Sequence, residues 1–270
     1  MNLQDEVQKY LDDGFSDVNA VSKVCQDIIL YKISKHHLTD KVTIKGGVVM
    51  MQLSKDRRRA TQDLDIDFIK YSLNEDAVRL FIDKMNDDDI KLSIKSITDL
   101  KHLDYNGKRI QLDIIDNYNN NLGTKIDLGV HKYMDIEQEN MYFDLNITDE
   151  SVSLLANSKE QIFVEKLKSL LRFRIASTRY KDIFDFYYLV NDDEFNKDKC
   201  LSYIDKLIFN DNTININDMS QLYKILNQTL SNKKFQDMLS QTKNNWLGIP
   251  VNEVSKNILN FINSLETVSQ

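Results

Sequence analysis

The sequence predicts an α+β protein in which a mixed α/β domain with a small mixed sheet, residues 1–150, precedes an all-helical domain, residues 151–270. Up to about residue 147, short apolar runs alternate with polar residues, which is the period of strands. From about residue 157, apolar residues recur only at helical spacing. The 270 residues include one proline and seven glycines, which favours long helices over tight loops.

Composition excludes several classes of protein. The chain is 41% hydrophobic and 29% charged, so it can fill a core and is not expected to be disordered. No apolar run approaches the roughly 18 residues that span a membrane, and the N-terminus lacks a signal-peptide pattern. Cys25 and Cys200 are too few for a disulfide framework or a zinc cluster. We therefore expect a cytoplasmic protein without membrane contact.

Helices and strands are predicted to alternate in the first domain. A helix over 16–37 would begin at Ser16 or Asp17, because apolar residues follow at helical spacing. Asn106-Gly107 predicts a hairpin turn between two strands. The other predicted elements are a strand at 42–45, a short helix at 48–53, a strand at 64–69, a helix at 74–85, and strand-like runs at 90–97, 108–116, 124–130 and 141–147.

The second domain is predicted to contain helices without a strand between them. The predicted helices lie at 158–173, 181–190, 196–208, 217–229, 232–243 and 251–265.

The most specific local pattern is Asp63-Leu64-Asp65-Ile66-Asp67 in a predicted strand. Side chains alternate between the faces of a strand, so the three aspartates share one face. Carboxylates this close repel one another unless a cation neutralises them, and Mg²⁺ prefers oxygen ligands. The pattern therefore predicts a site for Mg²⁺ or Mn²⁺. The simpler alternative is an acidic strand face that meets water.

A second segment strengthens the metal-site interpretation. Lys45-Gly46-Gly47 ends a strand and opens a short helix upstream of the aspartates. Glycine there would let a phosphate approach the backbone and the N–H groups of the helix N-terminus. A third carboxylate from a neighbouring strand would complete a two-metal site, and both Asp127 and Asp113 are candidates. This layout resembles the nucleotidyltransferase superfamily that includes DNA polymerase β.

Two neighbouring helices of the second domain carry further candidate residues. Lys166 lies at the border of an apolar face, where it either snorkels to water or points into a cleft, whereas Lys168 projects to the far side and is expected to be solvated. Asp182 and Asp185 share a face of the next helix, which is apolar around nearly its whole circumference. Buried carboxylates need partners. The expected structural partners of Asp185 are Arg174, Arg179 and Lys181.

Four segments follow one another in a characteristic order. They are Lys45-Gly46-Gly47, Arg59-Ala60-Thr61-Gln62-Asp63-Leu64-Asp65-Ile66, Glu165-Lys166-Leu167 and Arg179-Tyr180-Lys181-Asp182-Ile183-Phe184-Asp185-Phe186-Tyr187. In this order they resemble the AbiEii/AbiGii toxin family, nucleotidyltransferase-like toxins of bacterial abortive-infection and toxin–antitoxin systems. The resemblance covers roughly residues 40–190.

The resemblance implies roles for individual residues. It implies nucleotide binding by Gly46, Gly47, Arg59 and Lys166, metal binding by Asp63, Asp65 and Asp127, and catalytic roles for Asp63, Asp65, Lys166 and Asp182. The chain departs from the family where Val48 replaces the usual Ser or Thr after the second glycine, so backbone N–H groups must serve in place of a hydroxyl. It also carries a basic run, residues 55–59, between Gly47 and Asp63.

Charge is distributed unevenly along the chain. The net charge is −7, yet residues 159–181 hold seven bases and two acids, and residues 55–59 hold four bases and one acid. A cationic cleft in an anionic protein would concentrate phosphates locally. Solvated helix faces are the alternative, above all at Lys168.

The resemblance predicts a Mg²⁺-dependent transfer of a nucleoside monophosphate from an NTP to RNA, with a tRNA 3′ end as the leading acceptor and the nucleotide between the two domains. The implied partner is a separately encoded antitoxin that represses transcription and need not bind the toxin directly. One alternative is an enzyme that nucleotidylates protein hydroxyls. The other is a non-enzymatic nucleotide-binding module, which Val48 favours and the intact pair Asp63 and Asp65 disfavours.

Overall fold

The computed structural model describes residues 1–102, 105–133 and 135–266, without the side chains of residues 101, 102, 105, 106 and 266. The described part has ten α-helices and a seven-stranded mixed sheet, which confirms the predicted mixed α/β class. It divides into two compact units, unit 1 from Met1 to Asn157 and unit 2 from Ser158 onward. The boundary was predicted near residue 150, but the strand over residues 152–156 still belongs to unit 1, so the boundary lies a few residues later.

Unit 1 contains all of the strands that the structure describes. Its elements are α1 Leu3–Asp12, α2 Asp17–Lys35, β1 Val42–Lys45, α3 Gly47–Ser54, a 3₁₀ turn Arg57–Arg59, β2 Leu64–Phe68, α4 Glu75–Lys84, β3 Ile90–His102, β4 Tyr105–Asp116, β5 Asn121–Val130, β6 Glu139–Phe143 and β7 Val152–Ala156.

The described part of unit 2 is helical. Its elements are α5 Lys159–Phe173, a 3₁₀ turn Arg174–Ala176, α6 Lys181–Val190, α7 Lys197–Ile204, a π-helical stretch Asp205–Phe209, α8 Met219–Leu230, α9 Lys233–Leu239 and α10 Val251–Glu266. None of the described helices in either unit is long and apolar enough to cross a membrane.

The sheet of unit 1 has the order β3-β4-β5-β2-β1-β7-β6. The pairs β2–β5 and β1–β7 are parallel, and the other neighbouring pairs are antiparallel. Side chains such as Ile44, Ile66 and Ile126 are fully buried on one face, against which α2 packs with Ile28 and Ile29. Burying this apolar face stabilises the sheet and leaves its other face to polar residues.

Two elements of unit 1 were not predicted. Helix α1 carries Leu3, Val7, Tyr10 and Leu11 at helical spacing, so the sequence does contain a signal for it, although only Leu3 and Tyr10 of the four are buried. The helix packs against α2, and the backbone N–H of Leu3 donates to Asp116 Oδ2 at 2.9 Å. Strand β7 is only five residues long, a length at which alternation is a weak signal.

The Asn106-Gly107 turn prediction is wrong. Both residues lie within β4, where they pair with Lys101 and Leu100 of β3. The two strands do form an antiparallel pair, but the connection falls on residues 103–104, which lie outside the described part of the chain.

Candidate active site

The aspartates of β2 lie on the polar face of the sheet. Leu64, Ile66 and Phe68 point to the opposite face and are buried. Asp65 is directly opposite Asp127 on the parallel neighbour β5 and opposite Lys45 on β1. Residues opposite one another in register share a face of the sheet. The polar face therefore places carboxylates of two adjacent strands side by side.

Register separates the two candidates for the third carboxylate. Asp127 is opposite Asp65, whereas Asp113 is opposite Gly123, four residues away from Asp127 along β5. The carboxylate of Asp113 instead pairs with Lys95 Nζ at 2.8 Å. The structure thus brings Asp127 to the aspartates of β2 and leaves Asp113 at a distance.

Cations from neighbouring strands already neutralise these carboxylates. Arg109 Nε and Nη2 each donate to a different oxygen of Asp127 at 2.7 Å. Lys125 Nζ lies 2.6 Å from Asp63 Oδ1. Hydrogen bonding to Asp127 raises the pKa of Arg109, and the negative charges of Asp127, Asp63 and Asp65 add to this rise. The field of three carboxylates therefore converges on one guanidinium.

The same carboxylates can be examined for whether their chemistry suits a metal ion. Three carboxylates on one face are the hard oxygen donors that Mg²⁺ prefers, and a cation, Arg109, already occupies their common field. Among residues 1–102, 105–133 and 135–266, however, no group of three acidic, histidine or cysteine side chains is arranged as a ligand set. The donor chemistry fits Mg²⁺, and binding would require Arg109 and Lys125 to release their partners.

The Gly46-Gly47 segment is packed against the same residues. Gly46 has φ of +70°, and a Cβ there would overlap Asp65 Oδ2. A Cβ on Gly47 would lie 2.7 Å from the side chain of Thr61. Glycine is therefore required at both positions, and it lets the N-terminus of α3 lie beside the carboxylate of Asp65.

The structure explains the valine that follows this pair. Val48 is only 5% exposed, so its side chain packs in the interior of unit 1. A hydroxyl at this position would be buried. The backbone N–H groups at the start of α3 are the donors that remain there.

The basic run between Gly47 and Asp63 is engaged within unit 1. Lys55 pairs with Asp144, Arg58 pairs with Asp56 at 2.6 Å, and Arg57 Nη1 donates to the carbonyl of Asp13 at 2.7 Å. Arg59, predicted to bind nucleotide, is 4% exposed and lies in the interior. The run is thus tied to the fold of unit 1 by polar contacts.

Unit 2 brings three of its candidate residues into one buried cluster. Lys166 on α5 donates to Asp182 on α6, and its Nζ lies 3.0 Å from Asp185 Oδ2. The indole Nε1 of Trp246 donates to Asp185 Oδ1 at 3.1 Å. Asp185 has no exposed surface, whereas Asp182 is 8% exposed and its Oδ2 has no hydrogen-bond partner among the described residues. Lys166 and Trp246, which were not among the expected partners of Asp185, therefore hold it.

The expectation that Lys168 is solvated is wrong. Its Nζ lies 2.5 Å from Asp211 Oδ2, and its side chain is 16% exposed. Arg172, one turn further along α5, donates to Thr213 at 2.8 Å. The far side of α5 is covered by the segment that follows the π-helical stretch, so both cations serve packing inside unit 2.

Asn157 is a buried polar residue that the sequence did not indicate as part of the site. Asn157 follows β7, whose Ala156 is opposite Ile44, so Asn157 lies on the same sheet face as Lys45 and Asp65. It is 1% exposed, and neither polar atom of its side chain has a partner among the described residues. A buried amide without a partner is costly and marks a place for a water or a bound group. The only sequence signal is a polar residue that ends a short apolar run.

The family model described as "Nucleotidyl transferase AbiEii toxin, Type IV TA system" matches residues 28–245. No curated protein matches the chain significantly. The matched range includes Asp63, Asp65 and Asp127 as well as Lys166, Asp182 and Asp185, and it ends one residue before Trp246.

Proposed function

The chain belongs to the AbiEii family of nucleotidyl transferase toxins of type IV toxin–antitoxin systems, and from that premise we propose that it transfers a nucleoside monophosphate from an NTP to RNA. The leading acceptor is a tRNA 3′ end. An acceptor hydroxyl oxygen attacks the α-phosphorus, the bond between the α- and β-phosphates breaks, and pyrophosphate leaves.

One observation carries the proposal. The glycine turn that opens α3 lies against Asp65, and Asp65 is directly opposite Asp127. A backbone that admits phosphate thus adjoins paired carboxylates. The alternative of a merely solvated acidic strand explains neither the steric requirement for Gly46 nor the carboxylate on the second strand.

The metal of the proposed reaction is Mg²⁺, with Mn²⁺ as an alternative, and Asp63, Asp65 and Asp127 would hold it. When bound, the ion supplies neutralisation of phosphate charge and activation of the attacking oxygen. Arg109 and Lys125 pair with Asp127 and Asp63 in the structure, so these two carboxylates do not face each other as uncompensated charges.

Phosphate binding is assigned to backbone as well as side chains. Gly46 and Gly47 give the triphosphate access to the N–H groups that begin α3. Lys166 of unit 2 is proposed to bind nucleotide as a point charge. Because Asp182 and Asp185 both pair with its ammonium group, that binding would require the group to exchange a carboxylate partner for an oxygen of the nucleotide.

Membership of the family also suggests a cellular role. A type IV system implies an antitoxin, and we propose that the pair acts in phage defence in the cytoplasm, where NTPs and RNA are found. The second candidate function is nucleotidylation of a protein hydroxyl, which would use the same carboxylate face. The third, a nucleotide-binding module without catalysis, is favoured only by the buried Val48.

The experiment is label transfer. The purified protein is incubated with each α-labelled NTP, Mg²⁺ and total RNA, next to Asp65→Asn and an EDTA control. We expect label in small RNA from one or two of the NTPs with wild type only. Label in protein would support the second function, and NTP binding without transfer would support the third.

A further inference from the structure

The basic residues between 159 and 181 in unit 2 are not all paired with carboxylates. Lys159 pairs with Asp192 and Glu194, Lys166 with Asp182 and Asp185, and Lys168 and Arg172 with Asp211. Within the described residues, Arg174 and Arg179 are exposed and form no ion pair. Both lie between α5 and α6, and residues 173–179, which begin with the last residue of α5, are here called the α5–α6 loop.

The same loop exposes apolar side chains. Phe173, Arg174, Ile175 and Ala176 are four consecutive exposed residues, with Phe173 51% and Ile175 58% exposed. A large aromatic ring in water lacks the burial that normally stabilises it. Next to an unpaired guanidinium, such a ring offers a stacking surface and a positive charge together.

The backbone holds this arrangement in place. Arg174 has φ of +51° and ψ of −131°, a backbone conformation that residues other than glycine rarely adopt and that costs free energy. It is stabilised by the N–H of Ser177, which donates to the carbonyl of Arg174 at 3.0 Å. The buried Ser177 Oγ accepts in turn from the N–H of Arg179 at 3.3 Å. These hydrogen bonds hold the strained turn, with Phe173 and Ile175 exposed on either side of Arg174.

We propose that the α5–α6 loop binds the single-stranded end of the RNA acceptor, with a base stacked on Phe173 and phosphates on Arg174 and Arg179. Aromatic stacking next to exposed cations is the chemistry by which proteins hold single strands without reading their sequence. An unpaired double charge favours a polyanion over an apolar protein partner. The proposal rests on RNA as the acceptor, and it places the phosphate bound by Arg179 about one helical turn from Asp182, whose backbone N–H donates to the carbonyl of Arg179 at 3.1 Å.

The test is binding of a fluorescent single-stranded RNA of about ten nucleotides, measured by anisotropy at several salt concentrations. Phe173→Ala should weaken binding about tenfold, as expected for the loss of one stacked base. Arg174→Ala should weaken binding and reduce the slope of log affinity against log salt by about one. The matched controls are Tyr142→Ala, an aromatic of unit 1 that is 69% exposed, and Lys256→Ala, an exposed cation on α10.

Outcomes separate this proposal from the proposed function. Weaker RNA binding by Phe173→Ala with unchanged NTP binding supports the loop, even if wild type transfers no label. Unchanged RNA binding and unchanged transfer to RNA in both loop variants would overturn the loop and leave the function standing. Equal losses in the loop variants and the controls would also overturn it, because general surface charge would then account for binding.

Discussion

The two units organise charge in opposite ways. In unit 1, Asp65 and Asp127 are opposite each other on the sheet, Asp63 directly precedes β2, and Arg109 of β4 and Lys125 of β5 pair with Asp127 and Asp63. Asp63 keeps 45% of its side chain exposed. In unit 2, one ammonium, Lys166, is enclosed by two carboxylates, and Asp185 has no exposed surface. Charges near water can exchange partners, whereas enclosed charges depend on one another for folding. The contrast predicts that substitutions in unit 1 affect chemistry and substitutions in unit 2 affect stability first.

Loss of a carboxylate on the sheet face should have the largest effect on activity. Asp65→Asn keeps the shape of the side chain but removes a charge from the proposed metal site. We expect label transfer to RNA, and growth arrest on expression in bacteria, to fall below detection while the melting temperature changes little. Asp113→Asn, on the same sheet but far from Asp65, is the control. Continued growth arrest by folded Asp65→Asn would reject the carboxylate site.

Loss of the enclosed carboxylate should have the largest effect on stability. Asp185→Asn leaves Lys166 with one anionic partner in a buried place, and breaking a buried ion pair costs about 3–5 kcal/mol. We expect a lower midpoint in thermal or urea unfolding of unit 2. Asp182→Asn is the comparison, because Asp182 lies nearer to solvent and its Oδ2 has no partner among the described residues.

For Asp182→Asn we expect a smaller loss of stability than for Asp185→Asn, together with lost transfer activity. A reversed pattern, with Asp182→Asn unfolded and Asp185→Asn stable but inactive, would exchange the roles of the two residues.

Removal of the guanidinium on the sheet face sharpens the comparison. Arg109→Gln frees both oxygens of Asp127 and removes a positive charge from the field of three carboxylates. If these carboxylates bind Mg²⁺, the ion should bind more tightly, by about tenfold for roughly 1.4 kcal/mol of repulsion removed. Isothermal titration with Mg²⁺ measures this. Weaker or unchanged Mg²⁺ binding would show that Arg109 does not compete with a metal.

The smallest expected effect is on the stability of unit 2 at low pH. Burial alone would raise the pKa of Asp211, but hydrogen bonds from Lys168 and Thr213 outweigh it and lower the pKa to about 2. A carboxyl with a lowered folded-state pKa stabilises the fold above its ordinary pKa, and that stability is lost as pH falls toward about 2. Unfolding measured between pH 5 and 2 should therefore be less steep in Asp211→Asn than in wild type. Identical slopes would mean that other carboxyls dominate acid unfolding.

Local pattern sufficed for much of the sheet face. Alternation along Asp63-Leu64-Asp65-Ile66 predicted one acidic face, and the observed register places Asp65 on it. The choice between Asp127 and Asp113 was beyond the sequence. It depends on β5 pairing in parallel with β2, and strand order is a property of the whole sheet. The buried Arg59 likewise depends on packing that no run of basic residues indicates.

The helices of unit 2 were predictable, but their charge partners were not. Helical spacing brought Asp182 and Asp185 to one face, as the sequence indicated. Asp185 is held by Trp246, sixty-one residues further along the chain, and local spacing carries no information about such a contact. The pairing of Lys168 with Asp211 is missed for the same reason.

Trp246 gives unit 2 an optical property that unit 1 lacks. It is the only tryptophan of the chain, it is 2% exposed, and its indole N–H donates to the carboxylate that partners Lys166. Indole emission responds to nearby charge and to water. When only tryptophan is excited, at the red edge of protein absorption, the emission therefore reports on the surroundings of Asp185 without an attached dye. Unfolding of unit 2 can be followed as a red shift of this emission, to which unit 1 does not contribute.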